Sequence, residues 1–261
     1  MPSSTRSEIL IGTAGWTIPA PVRQAFPEAG THLERYSSIL RCAEINSSFH
    51  RPHRATTYAR WRASVPRGFR FSVKLPRTIT HKNRLVDVEL LLDEFLEPVR
   101  ELGDTLGCLL VQLPPSLAYD PSSAEDFFGM LRARYSGEIA CEPRHATWLE
   151  RDADDMLRGH SVARVAADPD KPQGAAAAGG YSRLRYYRLH GSPRMYYSRY
   201  EAAFLADLSE KIGSEAKHAS TIWCIFDNTT LGEAMPNALD LRRLLEGGSE
   251  GETLRQSGPP S

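Results

Sequence analysis

Glu142, Glu44 and His190 each sit at the end of a short strand-like run, where a side chain can be presented to a ligand. Glu142 is followed by Arg144 and His145. Nearby cations keep a carboxylate ionised, which suits a base or nucleophile, whereas burial without them suits an acid. Glu142 is therefore the first catalytic candidate and Glu44 the second. Two carboxylates across one mouth also allow glycosidase-like hydrolysis, with their separation selecting the stereochemistry. His190 is a candidate acid/base or metal ligand, with Glu142, Asp168 or Asp227 as partners for a metal. Lys74, Arg77, Arg144 and Arg188 come from separate runs and make a candidate anion site, arginine through its fork and lysine as a point charge. Asn46, Gln112, His145 and Asp168 join the ligand-binding candidates from similar positions. Trp16 joins them as an aromatic able to stack on a sugar, although packing at the rim is its simpler use.

The charge pattern bears on the ligand. Residues 50–84 contain no Asp or Glu but carry Arg51, Arg54, Arg60, Arg62, Arg67, Arg70, Lys74, Arg77, Lys82 and Arg84, with three histidines. The whole chain nevertheless balances 32 Lys and Arg against 32 Asp and Glu, which argues against a general nucleic-acid coat protein and leaves room for a local basic groove. An acidic stretch follows directly, from Asp87 to Asp104. A solvated basic helix beside an acidic one explains the pattern as well as an anion site does. Arg60, Arg62, Arg67 and Arg70 fall on a helix and the loop below a strand, while Lys74 and Arg77 fall at the strand's C-terminal end.

These residues need a scaffold that gathers strand ends. Apolar runs predict strands at 8–12, 42–46, 69–74, 106–112, 138–142, 161–166, 185–190 and 221–226. Amphipathic stretches predict helices at 33–40, 55–64, 88–102, 122–135, 152–158, 201–214 and 231–245, with Ser122 or Ser123 capping the fourth. Strand–helix alternation implies parallel pairing with right-handed crossovers, and eight units in one chain of this length fit a closed α/β barrel, a TIM-like (β/α)8 domain over residues 9–246. The sixth unit is weak, because residues 171–180 are Ala- and Gly-rich and read as a loop. Residues 1–8 read as a flexible N-terminus and 247–261 as a disordered tail. No Walker or dinucleotide glycine fingerprint follows the first strand.

Alternate residues of a barrel strand point inward, and barrel active sites lie at the C-terminal rim. Cys42, Glu44 and Asn46 share one face, as do Ser72 and Lys74, Leu110 and Gln112, Ala140 and Glu142, Ala166 and Asp168, and Arg188 and His190. Six consecutive strands thus place a polar or charged group inward near their ends. Two readings stay open: a self-paired ionic plug, Glu142 with Arg188 and Glu44 with Lys74, or a set of groups facing a ligand.

The strand exits also carry distinctive words: Gly12-Thr13-Ala14-Gly15-Trp16, Glu44-Ile45-Asn46-Ser47-Ser48-Phe49, Lys74-Leu75-Pro76-Arg77, Val111-Gln112-Leu113-Pro114-Pro115, Glu142-Pro143-Arg144-His145 and Arg188-Leu189-His190-Gly191. In this order they resemble the domain of unknown function 72 family, also called YecE-like, over residues 9–245. The resemblance implies a TIM-like barrel and carries no agreed reaction. Pro143 stands where an aromatic residue is commoner in that family. Asp227-Asn228 stands where Asn-Asn-Asp is commoner, which puts a carboxylate there in doubt as a shared functional group.

The sequence therefore points to an enzyme, hydrolase-like, acting on a small anionic or phosphorylated ligand with Glu142 as acid/base. A nucleic-acid-binding or endonuclease IV-like barrel and a glycosidase using Glu44 and Glu142 are the alternatives. No cofactor is evident; a divalent metal is the one candidate, with little support because neither His-x-His nor His-Glu-x-x-His occurs. No apolar run approaches the roughly 20 residues that span a membrane, and the polar N-terminus lacks a signal core. The four cysteines lie in apolar runs without a Cys-x-x-Cys pair, so a cytoplasmic protein with reduced thiols is expected, its assembly state left open.

Overall fold

The structure is a computed structural model that describes residues 7–256, with side-chain surroundings through residue 247. Its strands are β1 (Glu8–Ala14), β2 (Cys42–Ile45), β3 (Arg70–Lys74), β4 (Leu106–Gln112), β5 (Glu138–Glu142), β6 (Val162–Arg164), β7 (Ala166–Asp168), β8 (Gly179–Gly180), β9 (Leu184–Leu189) and β10 (Thr221–Phe226). The α-helices are α1 (His32–Ser37), α2 (Ala55–Ala63), α3 (Glu89–Val99), α4 (Pro121–Arg134), α5 (Arg151–Gly159), α6 (Ala202–Glu215) and α7 (Ala234–Gln256).

The strands form one sheet in the order β7-β9-β10-β1-β2-β3-β4-β5-β6-β8. Every pairing is parallel except β6 with β8. β6 lies on β5 and β7 lies on β9, so the two sides of the sheet are successive parts of one stretch, interrupted at Val165. The result is a nearly closed, barrel-like α/β sheet of ten strands, not the eight expected. The expected sixth strand is split in two, and a two-residue antiparallel strand is added. Val165 still donates its N–H to the Cys141 carbonyl at 2.8 Å, whereas Ala167 turns to the Ala175 carbonyl at 2.8 Å. Between β7 and β8 the chain makes turns and no α-helix, in keeping with the weak sixth unit. Gly180 must be glycine there: its φ is +63°, and a Cβ would strike the Val162 carbonyl.

Two apolar layers flank the strands. Leu10, Cys42, Cys108, Leu110, Ala140, Ala163, Tyr186, Trp223 and Ile225 fill the interior. Ile11, Ala43, Ile45, Phe71, Val73, Leu109, Val111, Cys141 and Phe226 face the helices. This is the alternation read from the sequence, and it aims Glu44, Glu142 and Arg188 inward. Trp223 and Tyr186 stack at 5.8 Å inside, and Trp223 donates to Glu138 Oε2 at 2.9 Å. All four cysteines are buried and free, and no helix among the described residues is long and apolar enough to cross a membrane.

Local boundaries shift for identifiable reasons. Asp120, not Ser122 or Ser123, caps α4, because its Oδ1 accepts the Ser123 N–H at 2.8 Å and Pro121 needs no partner at the first helical position. α7 continues beyond the expected end at residue 245, with an Arg242–Glu246 pair of 2.7 Å spanning that end. Of the segments expected to lack order, residues 1–6 and 257–261 lie outside the described residues.

Strand spacing gives a direct test. β1 and β2 approach so closely at Gly12 that a Cβ there would overlap the Cys42 carbonyl, whereas a Cβ on Gly213 in α6 meets nothing within 4 Å. Gly12→Ala is expected to destabilise the protein by about 1–3 kcal/mol through overpacking. Gly213→Ala is expected to stabilise it by about 0.5–1 kcal/mol. Urea unfolding of the two variants reads both effects.

Candidate active site at the barrel mouth

Arg188 on β9 is fully buried and gathers three carboxylates from three other strands. Its Nε and Nη2 fork onto Glu44 of β2, at 3.0 Å to Oε2 and 2.6 Å to Oε1. Nη1 donates to Glu142 Oε2 of β5 at 2.6 Å. Nη2 also donates to Oδ2 of Asp227, which directly follows β10, at 2.9 Å. Tyr186, two residues earlier on the same inward face, donates to Glu44 Oε2 at 2.9 Å and stands 2.8 Å from Ser72 Oγ. Planar, always charged and five-donor, arginine is the side chain able to hold three acids at once. Burial opposes ionisation of Glu142, but Arg188, Arg144 and His190 together hold its carboxyl well below the usual range. Asp227 is lowered in the same way, burial being outweighed by Arg188, His190 and Lys74.

His190 bridges two of these acids. Its Nδ1 lies 3.2 Å from Asp227 Oδ2, and its Nε2 lies 3.0 Å from Glu142 Oε1. Arg144 Nη2 lies 2.9 Å from the same Nε2 and 2.5 Å from Glu142 Oε1. An imidazolium donates to both carboxylates. A neutral ring protonated on Nδ1 donates to Asp227 and accepts from Arg144. The neutral ring satisfies its contacts with Asp227 and Arg144, whereas the imidazolium Nε2–H faces the Arg144 guanidinium at 2.9 Å, so passing a proton between Asp227 and Glu142 requires Arg144 to give up its contact with the ring.

Above this cluster opens a cavity of about 450 Å³, walled by Asn46, Ser47, Phe49, His50, Lys74, His81, Gln112, Tyr196 and Asp227. Lys74 is the odd cation. Among the described residues no carboxylate oxygen lies within 4.0 Å of it; its ammonium instead sits 4.2 Å from the Phe49 ring centroid. Burial, reinforced by Arg188, outweighs the attraction of Glu44, Glu142 and Asp227 and lowers the lysine from 10.5 to about 8. His81 is also lowered, first by burial and then by Lys74, Arg77 and Arg144. Asn46 reaches Asp227 Oδ1 through Nδ2 at 3.4 Å, and its own buried Oδ1 has no partner.

A family model described as a protein of unknown function, DUF72, matches residues 10–260. The chain belongs to the DUF72 family. It is 33% identical over 106 residues to the UPF0759 protein YecE of Escherichia coli K12, a match covering 41% of this chain and 38% of that relative. The same protein from the O157:H7 strain matches equally. Among solved structures, a DUF72 family protein of Enterococcus faecalis V583 superposes with a TM-score of 0.78 at 21% identity, covering 91% of this chain and 95% of that one. One from Thermotoga maritima MSB8 gives 0.76 at 23% identity, covering 92% and 99%. These structures share the fold.

In this DUF72 chain the residues singled out from sequence separate into three groups. Asn46, Lys74 and Gln112 line the cavity. Glu44, Glu142, Arg188 and His190 lie buried, joined through Arg188 and His190, with Arg144 against Glu142. The rest stand apart. Trp16 packs edge-on against Trp61 at 5.1 Å and Phe71 at 6.0 Å. His145 caps the turn Ala146–Leu149. Asp168 accepts from Tyr200 at 2.7 Å, and Arg77 is exposed. The expected Glu142–Arg188 pair forms, but Glu44 pairs with Arg188 instead of Lys74. Asp227 is named from the sequence only as a metal partner of His190, not as a base or ligand-binding residue. It continues the inward alternation of Trp223 and Ile225, which was the available signal. Phe49 enters the cavity from the short 3-10 helix Ser47–Phe49 and Tyr196 from a turn, and neither has a periodic signal.

Among the described residues no group of three or more His, Cys, Asp or Glu is arranged to hold a metal. The acid cluster is held by a cation of the protein itself, which makes its stability testable. Arg188→Met leaves three buried carboxylates without their shared partner and is expected to cost about 3–5 kcal/mol in chemical unfolding. Glu142 and Asp227 bind protons more weakly folded than unfolded. Their contribution is complete above the ordinary values of 4.5 and 3.8 and is lost as pH falls through the lower folded ones. Stability should therefore decline in acid below about pH 4.5, and less steeply in Glu142→Gln.

Proposed function

We propose that the barrel mouth is an enzyme active site for a small anionic ligand, phosphorylated or carboxylated, with Asp227 as the base that faces it. The observation that carries this is Lys74, a buried cation in a cavity wall with no carboxylate within 4.0 Å, beside three carboxylates that Arg188 already satisfies. A buried ammonium with no direct ion pair is costly, and a bound anion removes part of that cost. Ser47, Asn46, Gln112 and the imidazoles of His50 and His81 supply hydrogen-bonding groups around it.

Asp227 suits a base better than an acid because its carboxyl is held low and it reaches the cavity. Glu142 then acts one step back, receiving or returning the proton through His190. Proton abstraction from the ligand, or activation of a water for hydrolysis, is the chemistry this supports. The glycosidase alternative is less favoured, since Glu44 and Glu142 have no exposed surface and both are bound by Arg188. The basic run also offers nucleic acid less than its composition suggests: Arg62 pairs with Asp104 at 3.2 Å and Arg70 bonds the Asp104 carbonyl, away from the mouth.

Lys74→Met separates a ligand-binding lysine from a structural one. The native site disfavours the lysine's charged form, so stability rises as pH climbs from about 8 to 10.5, and the penalty is in full force at pH 7. Removing it is expected to raise stability at pH 7 by up to about 3 kcal/mol. Calorimetric affinity for glycerol 3-phosphate is expected to fall about tenfold or more in the same variant, a loss of roughly 1.4 kcal/mol. Unchanged affinity would rule the reading out. Tight oligonucleotide binding that weakens steeply with salt would favour the nucleic-acid alternative.

A further inference from the structure

We infer that Lys74 forms an imine with its ligand, so that the mouth accepts anionic aldehydes, ketones or 2-oxo acids. This rests on the anionic-ligand reading and narrows the substrate class. Lys74 meets the geometric demands of an amine nucleophile. It ends β3 at the floor of a cavity large enough for a small metabolite, and no carboxylate within 4.0 Å ties up its nitrogen. Phe49 covers one side of the ammonium, leaving approach from the cavity. Burial adds to this by lowering the lysine to about 8, which leaves a usable fraction of free amine near neutrality.

The step balances without an oxidant or reductant. The amine lone pair attacks the carbonyl carbon, a C–N bond forms, the π pair moves to oxygen, and the nitrogen passes one proton to that oxygen, which leaves a neutral carbinolamine. The resulting hydroxyl has a buried acceptor available on the same wall, the unpartnered Asn46 Oδ1. A second proton, taken from solvent in the cavity, reaches that hydroxyl, water departs, and the nitrogen lone pair closes the C=N bond to give the protonated imine. The protonated imine then draws electrons from the adjacent carbon, whose C–H gives its proton to Asp227. From there His190 connects to Glu142. Hydrolysis of the imine returns the amine and consumes the water released.

The test uses the full chain with two probes, pyridoxal 5′-phosphate and glyceraldehyde 3-phosphate, each followed by borohydride reduction, intact-mass measurement and peptide mapping. The expected result is a single adduct on Lys74, absent in Lys74→Arg and suppressed by inorganic phosphate. Labelling of Lys82, Lys171, Lys211 and Lys217 should be lower by about tenfold or more. Asp227→Asn should still form the adduct but slow exchange of the ligand's α-proton. Lys74→Arg keeps the cation, so its retained phosphate affinity separates imine chemistry from anion binding. Should that variant not fold, the pH dependence of wild-type labelling serves instead, rising through pH 8 at Lys74. No adduct at Lys74, or one spread evenly over all lysines, overturns the inference. If phosphate still binds in that case, the anionic-ligand reading survives; if phosphate neither binds nor competes, that reading fails as well.

Discussion

The charged interior depends on one guanidinium. Arg188 has no exposed surface and donates to Glu44, Glu142 and Asp227 from four N–H groups. Burying three carboxylates inside a barrel is unfavourable unless each finds a charged donor. The fork on Glu44, the single bond to Glu142 and the shared Nη2 on Asp227 meet that demand with one side chain from one strand. Because the acids come from β2, β5 and the residue after β10, the cluster also ties together parts of the sheet that are far apart in sequence. An arrangement of this kind acts as a specification of register, since a slip of one residue in any of these strands would turn its acid outward.

Arg188 also determines what is left over. With Glu44 fully engaged, Lys74 has no acid of its own and turns to the Phe49 ring at the cavity floor. With Asp227 held ionised at the cavity wall and Glu142 behind His190, the site has a base on the surface and a second carboxylate connected to it by an imidazole. On the proposed reading, ionic plug and ligand site, which look opposed in the sequence, are successive layers of one structure. The lower layer is self-paired; the upper layer is not.

Much of this was legible before any coordinates. The period-two alternation in Ala140–Glu142 and Tyr186–Arg188 placed the right residues inward because a parallel barrel strand has only two faces. The family words at the strand exits led to the same fold as the structural relatives. Partner choice was not legible. Whether Glu44 meets Lys74 or Arg188 depends on side-chain reach across the barrel, and the longer, forked arginine wins. Asp227 lies one residue beyond the last apolar run, where the sequence suggests only a metal partner and a departure from the family pattern, although its parity with Ile225 marks it as inward. The break at Val165 was hidden as well, since Ser161 to Ala166 reads as one apolar run and only the competition between β5 and β9 for pairing divides it.

The central claim is that Arg188 engages the acids and leaves Lys74 buried without a direct ion pair. The titration of Lys74 measures this most directly. The chain has only five lysines, so ¹³Cε-labelled lysine resonances, with Lys74→Arg for assignment, can be followed by NMR across the alkaline range. The account predicts that Lys74 titrates near pH 8. A midpoint at or above the ordinary lysine value of about 10.4 would mean that the ammonium has a carboxylate partner, and would contradict it.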